Sequence, residues 1–170
     1  QINDIEGGIE YLQRAIAIHP GNIDAQYNLG RALETTGRFE EAIGPYQKAI
    51  EIDPGNVDAH FNLSSIFHAL ERDDEAAVHL RQVIAIKPDH AGAYGNLGVA
   101  LKELDEFDEA EACFRKALSL KGDDSVILSN LGNILKEQNR LDESVKMHEH
   151  ALALQPNYAE GHSNLGNTLA

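Results

Sequence analysis

One three-residue stretch recurs five times, and its spacing constrains the fold more than any other feature of the sequence. Asparagine and leucine are followed each time by glycine or serine, and consecutive copies lie 34 residues apart without an insertion or deletion. The copies begin at Asn28, Asn62, Asn96, Asn130 and Asn164. Proline keeps the same period at Pro20, Pro54, Pro88 and Pro156, and Gly122 replaces it once. A fixed period of this length is typical of stacked-repeat proteins.

Each repeat is expected to contain two helices separated by a short break. In the first complete repeat, Ala25, Leu29 and Leu33 follow helical spacing, and Asn22 and Asn56 stand where a helix N-cap is expected. The break falls at one shared position, held by Asn3, Gly37, Glu71, Asp105 and Asn139. Glycine, asparagine and aspartate tolerate the left-handed backbone of a helix C-cap, whereas glutamate fits it poorly.

The period also sets the expected domain organisation, which is a single array over residues 1–170. Counted from Ile23, complete repeats cover residues 23–56, 57–90, 91–124 and 125–158, flanked by partial repeats at 1–22 and 159–170. The first partial repeat would supply a second helix and the last a first helix, so the chain is expected to be a fragment. Because the two ends would leave complementary apolar faces, weak head-to-tail self-association is expected.

Small residues at two further repeated positions predict that the two helices of a repeat approach closely. The first position is Gly30, Ser64, Gly98, Gly132 and Gly166, and the second is Gly8, Ala42, Ala76, Ala110 and Ser144. Together with Leu33, Tyr46, Ala49 and Pro54, this pattern resembles the tetratricopeptide repeat family. The chain departs from that family at the position of the first helix where a large aromatic residue is usual, which here holds Gln26, His60, Tyr94, Leu128 and His162. In the second helix, Val83 replaces the usual alanine and His148 the usual aromatic residue.

This resemblance implies an all-α fold: a right-handed superhelical α-solenoid of stacked antiparallel helix pairs. It also implies that the first helices line the concave surface. At one lining position Tyr27 and Phe61 give way to Gly95, Ser129 and Ser163, so the wall is expected to change from aromatic to small and polar. A shallow depression is expected at Gly95.

The charge of the chain excludes some classes of partner. There are 28 acidic residues against 14 basic ones, which argues against a nucleic-acid or anionic-membrane surface. No run of about 18 apolar residues is present, so no membrane span is expected. The single cysteine, Cys113, cannot form an internal disulfide, and its variable position predicts an exposed, inert thiol. A cytoplasmic location is expected for such a chain.

The repeated asparagine is the strongest candidate for a functional site. Asn28 lies one residue off the apolar stripe, so its carboxamide can offer a donor and an acceptor to the backbone of an extended peptide. The resemblance is closest to the asparagine-ladder arrays of O-GlcNAc transferase and related bacterial proteins. The expected peptide-binding set is Asn28, Asn62, Asn96, Asn130 and Asn164, with Tyr27, Phe61, Arg31 and Asn133. The alternative is that each asparagine bonds a neighbouring helix and fixes the repeat geometry.

Other sites are not supported by the sequence. The family's carboxylate clamp needs a basic residue four positions before such asparagines, where this chain has Asp24, Asp58, Gly92, Val126 and Glu160. The eight histidines include no pair at i, i+4 spacing, so no metal site is predicted. No catalytic set stands out, and neither an enzymatic activity nor a cofactor is predicted.

The sequence therefore predicts a non-catalytic protein–protein interaction scaffold that binds an extended peptide or protein segment in its concave groove. The alternative is that the chain is the substrate-recognition segment of a larger enzyme, such as an O-GlcNAc-type glycosyltransferase. The two hypotheses assign the same peptide-binding residues and differ only in whether a catalytic domain is joined to the array.

Overall fold

The computed structural model of the chain describes residues 2–170, with side chains from Ile5 onward, and this part forms ten helices and no strand. The chain divides into two compact units, residues 1–87 and 88–170. In unit 1 the helices are α1 (Ile2–Ile18), α2 (Ile23–Thr35), α3 (Phe39–Ile52), α4 (Val57–Ala69) and α5 (Asp73–Ile86). In unit 2 they are α6 (Ala91–Glu103), α7 (Phe107–Lys121), α8 (Ser125–Glu137), α9 (Leu141–Leu154) and α10 (Ala159–Leu169). The predicted fold class, an all-α solenoid of stacked antiparallel helix pairs, is confirmed.

The helix ends lie where the sequence places them, except that the break expected at Asn3 falls inside α1. The side-chain oxygen of Asn22 accepts the Ala25 N–H at 3.0 Å, and that of Asn56 accepts the Ala59 N–H at 2.9 Å, so both act as N-caps. At the predicted break, every copy in the described residues from Gly37 onward has a positive φ: 74° at Gly37, 58° at Glu71, 59° at Asp105 and 60° at Asn139. Glu71 adopts this backbone without being a residue type that favours it.

The two helices of a pair pack closely where a glycine of the first helix faces an aromatic ring of the second. A Cβ placed on Gly30 would lie 2.9 Å from the Tyr46 ring, and one on Gly98 would lie 2.7 Å from the Phe114 ring. Both rings are fully buried. These contacts are tighter than real side chains allow, so only glycine permits this helix separation.

The first helices of neighbouring pairs also contact one another. Within unit 1, α2 contacts α4; within unit 2, α6 contacts α8 and α8 contacts α10. In the described residues the second helices, α3 with α5 and α7 with α9, make no comparable backbone approach. In each unit the first helices are therefore the more closely spaced layer. We call the surface of this layer that carries the asparagines the front face.

Two sequence-based expectations are wrong. Cys113 is buried, with 7% of its surface exposed, because it faces the inner side of α7 rather than solvent. Gly95 is buried as well, since the Cδ1 atom of Ile127 lies 3.5 Å from the position of its absent Cβ. The expected depression at Gly95 is thus filled by a side chain from α8.

Candidate functional site

The front face of unit 1 contains one exposed asparagine and one that is hydrogen-bonded to its neighbours. Asn28 is exposed. The amide nitrogen of Asn62 donates to the hydroxyl oxygens of Tyr27 and Tyr46, at 3.2 Å each. Both amide hydrogens of Asn62 are thereby used, and only its carbonyl oxygen remains for a ligand.

A buried tyrosine anchors this network. The Tyr46 hydroxyl donates to the Glu34 carboxylate at 2.8 Å while it accepts from Asn62. Burial, and then the Glu34 carboxylate, raise the pKa of Tyr46, so its hydroxyl keeps its proton. Asn62 is therefore part of the packing between α2, α3 and α4, as the structural alternative for the asparagine column expected.

The aromatic residues predicted to line the front face are half-buried. The Tyr27 ring meets the Tyr46 ring edge-on at a centroid distance of 5.8 Å, and the Arg31 guanidinium lies 5.9 Å from the Tyr27 centroid. That distance is within the range of a cation–π interaction. Phe61 is half-buried on α4. These side chains keep an accessible surface, and their predicted contact with a peptide stays a prediction.

In unit 2, as in unit 1, one of the repeated asparagines is hydrogen-bonded to a neighbouring helix. Asn164 donates to the Ser129 hydroxyl at 3.0 Å. Asn96 is exposed and Asn130 half-buried, and within the described part of the chain neither side chain makes a hydrogen bond. Two carboxamides of unit 2 thus keep their donors and acceptors for a ligand.

One residue position explains which asparagines are bonded. Asn62 bonds Tyr27 and Asn164 bonds Ser129, and in both pairs the partner lies 35 residues earlier. That partner immediately precedes the asparagine of the preceding repeat and carries a hydroxyl. For Asn130 the matching residue is Gly95, which has no side chain to accept a hydrogen bond.

A cleft of about 380 Å³ opens on the front face of unit 2. Its polar lining includes Asn133 and Asn164 together with two lysines, Lys102 and Lys136. The remaining lining residues are Asp105, Phe107, Ile134 and Glu137. Asn133 and Asn164 of the predicted set are thus brought together, and the lysines are functional candidates that sequence reasoning missed. The sequence feature that could have identified these lysines is one repeat position, which holds an acidic residue at Glu34 and a basic one at Lys102 and Lys136.

Smaller clefts lie on the same layer of unit 1. One, of about 220 Å³, is lined by Ile23, Asp24, Tyr27, Asn56 and Asp58. The other, of about 310 Å³, includes Asn28 and Arg31 beside Ile5 and Leu12 of α1. The front face of unit 1 is therefore aromatic and largely acidic where that of unit 2 is amide-rich and carries lysines.

Three histidines, His60, His79 and His148, lie wholly or partly buried between the helices. The Nδ1 atoms of His60 and His79 lie 2.9 Å apart, and burial lowers the pKa of both, that of His79 to about 4. His148 is fully buried against Gly132, and neither ring nitrogen has a hydrogen-bond partner. Burial, and then Lys136, lower the pKa of His148. These rings belong to the helix packing.

The described residues contain neither a metal cluster nor a membrane span. No group of three or more histidine, cysteine, aspartate or glutamate side chains in this part of the chain could hold a metal ion. None of the helices in it is long and apolar enough to cross a membrane.

Three models of the tetratricopeptide repeat match the sequence. They cover residues 89–157, 1–57 and 46–77, and so leave out only residues 78–88 and 158–170. No curated protein matches the chain.

Solved structures with the same fold include MamA, which is 24% identical with a TM-score of 0.87 over 93% of this chain and 92% of that one. YrrB, described as a TPR protein with an unusual peptide-binding site, is 21% identical with a TM-score of 0.81 over 94% and 82%. PilF of Pseudomonas aeruginosa is 27% identical with a TM-score of 0.75 over 86% and 67%. Since the repeat models and these folds agree with the helix pairs described above, the chain belongs to the tetratricopeptide repeat family.

Proposed function

We propose that this chain is a non-catalytic protein-interaction scaffold that binds an extended peptide on the front faces of its units. The observation that carries the proposal is the set of carboxamides at one repeated position that make no hydrogen bond within the described residues, Asn28, Asn96 and Asn130. A carboxamide offers one acceptor and a pair of donor hydrogens, which matches the N–H and C=O of a peptide group. The structural likeness to YrrB, whose own description names a peptide-binding site, supports this assignment.

The bonded asparagines have a different role in this proposal. Asn62 and Asn164 hold neighbouring repeats together through Tyr27 and Ser129. They keep the spacing of the front helices, and so the spacing of the free carboxamides, fixed. Backbone recognition of this kind gives affinity with little dependence on the side chains of the peptide.

The test is peptide binding by a variant that lacks the free carboxamides. Peptides are selected from a random library displayed on phage, and their affinities are measured by fluorescence anisotropy. Each neutral hydrogen bond contributes roughly 0.5–1.5 kcal/mol. The triple variant Asn28→Ala, Asn96→Ala, Asn130→Ala is therefore expected to bind at least about tenfold more weakly, with an unchanged helical circular dichroism spectrum.

A matched control removes three exposed amides that lie away from the front face, at Gln47, Gln82 and Asn157. This control variant is expected to bind like the wild type. The proposal is overturned if no peptide is enriched over background, or if both triple variants lose the same affinity.

A further inference from the structure

The lysines of the unit 2 cleft lie at one repeated position near the ends of the front helices. Lys102 is six residues after Asn96 on α6, and Lys136 is six residues after Asn130 on α8. Both line the same cleft, with Asn133 and Asn164 beside them. Cationic and carboxamide groups thus meet on one surface.

The two lysines differ in how far other groups neutralise them. Lys102 pairs with the exposed carboxylate of Glu103 at 2.8 Å. Lys136 is half-buried and makes no ion pair within the described residues. The cleft also contains Asp105 and Glu137, but both are exposed, and solvent screens exposed charges strongly. Of the two lysines of this cleft, Lys136 is therefore the one without an ion pair in the described residues.

Helix geometry places these ammonium groups beside a bound peptide rather than on its backbone path. Six residues of α-helix span about 9 Å along the axis. The Cα atoms of Lys102 and Lys136 thus lie about 9 Å further along their helices than those of Asn96 and Asn130, where the peptide backbone would bind. Lysine side chains lean toward the helix N-terminus, and so toward that path. An acidic side chain that projects from the peptide toward the C-terminal ends of these helices can meet the ammonium groups.

We propose that the cleft around Lys136, Lys102, Asn133 and Asn164 is a subsite for the side-chain carboxylate of an aspartate or glutamate in an extended peptide. This inference rests on the proposed peptide binding and adds a preference in one unit. The same repeated position in unit 1 holds Glu34, which accepts from Tyr46, and His68, which pairs with Asp73 at 2.6 Å. The preference for an acidic side chain is thus confined to unit 2.

The test compares three probes on the whole chain. The first is acetyl-(Gly-Ser-Glu)₃-amide, the second replaces Glu by Gln, and the third is the Gln peptide with a free C-terminal carboxylate. Binding is followed by chemical-shift titration of the ¹⁵N-labelled protein. The Glu peptide is expected to bind at least about fivefold more tightly than the other two, although the chain has a net charge of −14, and the difference should shrink with added salt.

Variants assign the preference to the cleft. Lys136→Gln is expected to abolish the difference between the Glu and Gln peptides, and Lys136→Arg to retain it. Lys116→Gln, which removes an exposed lysine of α7, is the matched control and should leave the difference unchanged. Thermal unfolding checks that each variant folds.

The outcomes separate this inference from the proposed function. If the Glu and Gln peptides bind equally, or if Lys116→Gln abolishes the difference as Lys136→Gln does, the carboxylate subsite is wrong while peptide binding stands. A free C-terminus that binds as well as the Glu side chains would also overturn the subsite. If none of the three peptides binds at millimolar concentration, both the proposed function and the subsite fail.

Discussion

Asn62 in unit 1 and Asn130 in unit 2 occupy the same position of the repeat but have different surroundings. In unit 1, Asn62 gives both amide hydrogens to Tyr27 and Tyr46. In unit 2, Asn130 has no hydrogen-bond partner within the described residues, because Gly95 replaces the hydroxyl-bearing residue. An identical side chain at an identical position is thus part of the packing in one unit and open to a ligand in the other. The neighbour 35 residues earlier, rather than the asparagine itself, decides between the two roles.

The units differ again where the second helix packs on the first. In unit 1 the buried ring is Tyr46, whose hydroxyl has two partners. In unit 2 the ring at the equivalent position of α9 is His148, whose nitrogens have none. The polar group adds stability in the first case and costs free energy in the second. The buried ring of α9 therefore lacks the hydrogen bonds that the buried ring of α3 makes.

The largest expected difference concerns the glycines that face these rings. A Cβ on Gly132 would lie 2.5 Å from the His148 ring, closer than the 2.9 Å from Gly30 to Tyr46. We expect Gly132→Ala to lower the free energy of unfolding by about 2–3 kcal/mol and Gly30→Ala by about 1–2 kcal/mol. Urea unfolding measures both.

The control for this pair is Gly166→Ala, since outside the backbone of its own helix nothing in the described structure lies within 4 Å of the Cβ it would introduce. Alanine favours a helix over glycine by about 1 kcal/mol, so this variant should be slightly more stable. A loss at Gly166 equal to that at Gly132 would contradict the ring-against-glycine account.

Removing the polar atoms of the two rings should have opposite effects. Tyr46→Phe removes the hydrogen bond to Glu34 and one of the two hydrogen bonds of Asn62, and is expected to cost about 1–2 kcal/mol. His148→Phe removes two unsatisfied nitrogens from the core and is expected to add about 1 kcal/mol. The two variants serve as each other's control in thermal unfolding. Changes of the same sign would remove the distinction between the two cores.

Acid should destabilise the fold through the histidines that are wholly or partly buried in it. The pKa values of His60, His79 and His148 are lower in the folded chain than the ordinary value of about 6.5. Below that pH the unfolded chain binds more protons than the folded one. The histidine contribution to stability is therefore complete above about pH 6.5 and is lost as the pH falls toward the folded pKa values.

The measurement is the unfolding midpoint in urea between about pH 7.5 and 5, for the wild type and for His148→Phe. Each fully shifted histidine contributes at most about 1.4 kcal/mol per pH unit. We expect stability to fall with pH in both proteins, and less steeply in the variant. Parallel curves would show that His148 does not titrate with unfolding.

The smallest expected difference is at the break between helices. Glu71 in unit 1 and Asn139 in unit 2 share a left-handed backbone, with φ of 58° and 60°. Asparagine tolerates this conformation better than glutamate does. We expect Glu71→Gly to add about 0.5–1 kcal/mol, and Asn139→Gly to change stability by less than that. Equal gains would mean that residue type is irrelevant at this position.

The sequence predicts the fold well because period, caps and breaks are local properties. Asn22 and Asn56 cap helices as expected, and Gly37, Asp105 and Asn139 adopt the left-handed conformation. Even the poor fit, Glu71, adopts the backbone of its repeat rather than the one its own preference favours. Agreement across the helices of the described chain makes the repeat a stronger constraint than any single residue.

The site is less predictable, because its chemistry depends on contacts between repeats. Nothing near Asn62 in the sequence indicates that Tyr27 and Tyr46 would accept its amide hydrogens. Similarly, the burial of Cys113 and of Gly95 depends on side chains from neighbouring helices. The role of Lys136 becomes visible only when α6, α8 and α10 are seen to line one cleft.

The central claim is that the asparagine position is divided between packing and ligand binding. The most direct measurement is the free energy of unfolding of Asn62→Ala and Asn130→Ala in urea. Asn62→Ala breaks two hydrogen bonds and should cost about 1–2 kcal/mol. Asn130→Ala removes an unpaired side chain from a helix and should leave stability unchanged or raised by up to about 0.5 kcal/mol. Equal losses in the two variants would contradict the account, because the asparagine would then be a packing residue in both units.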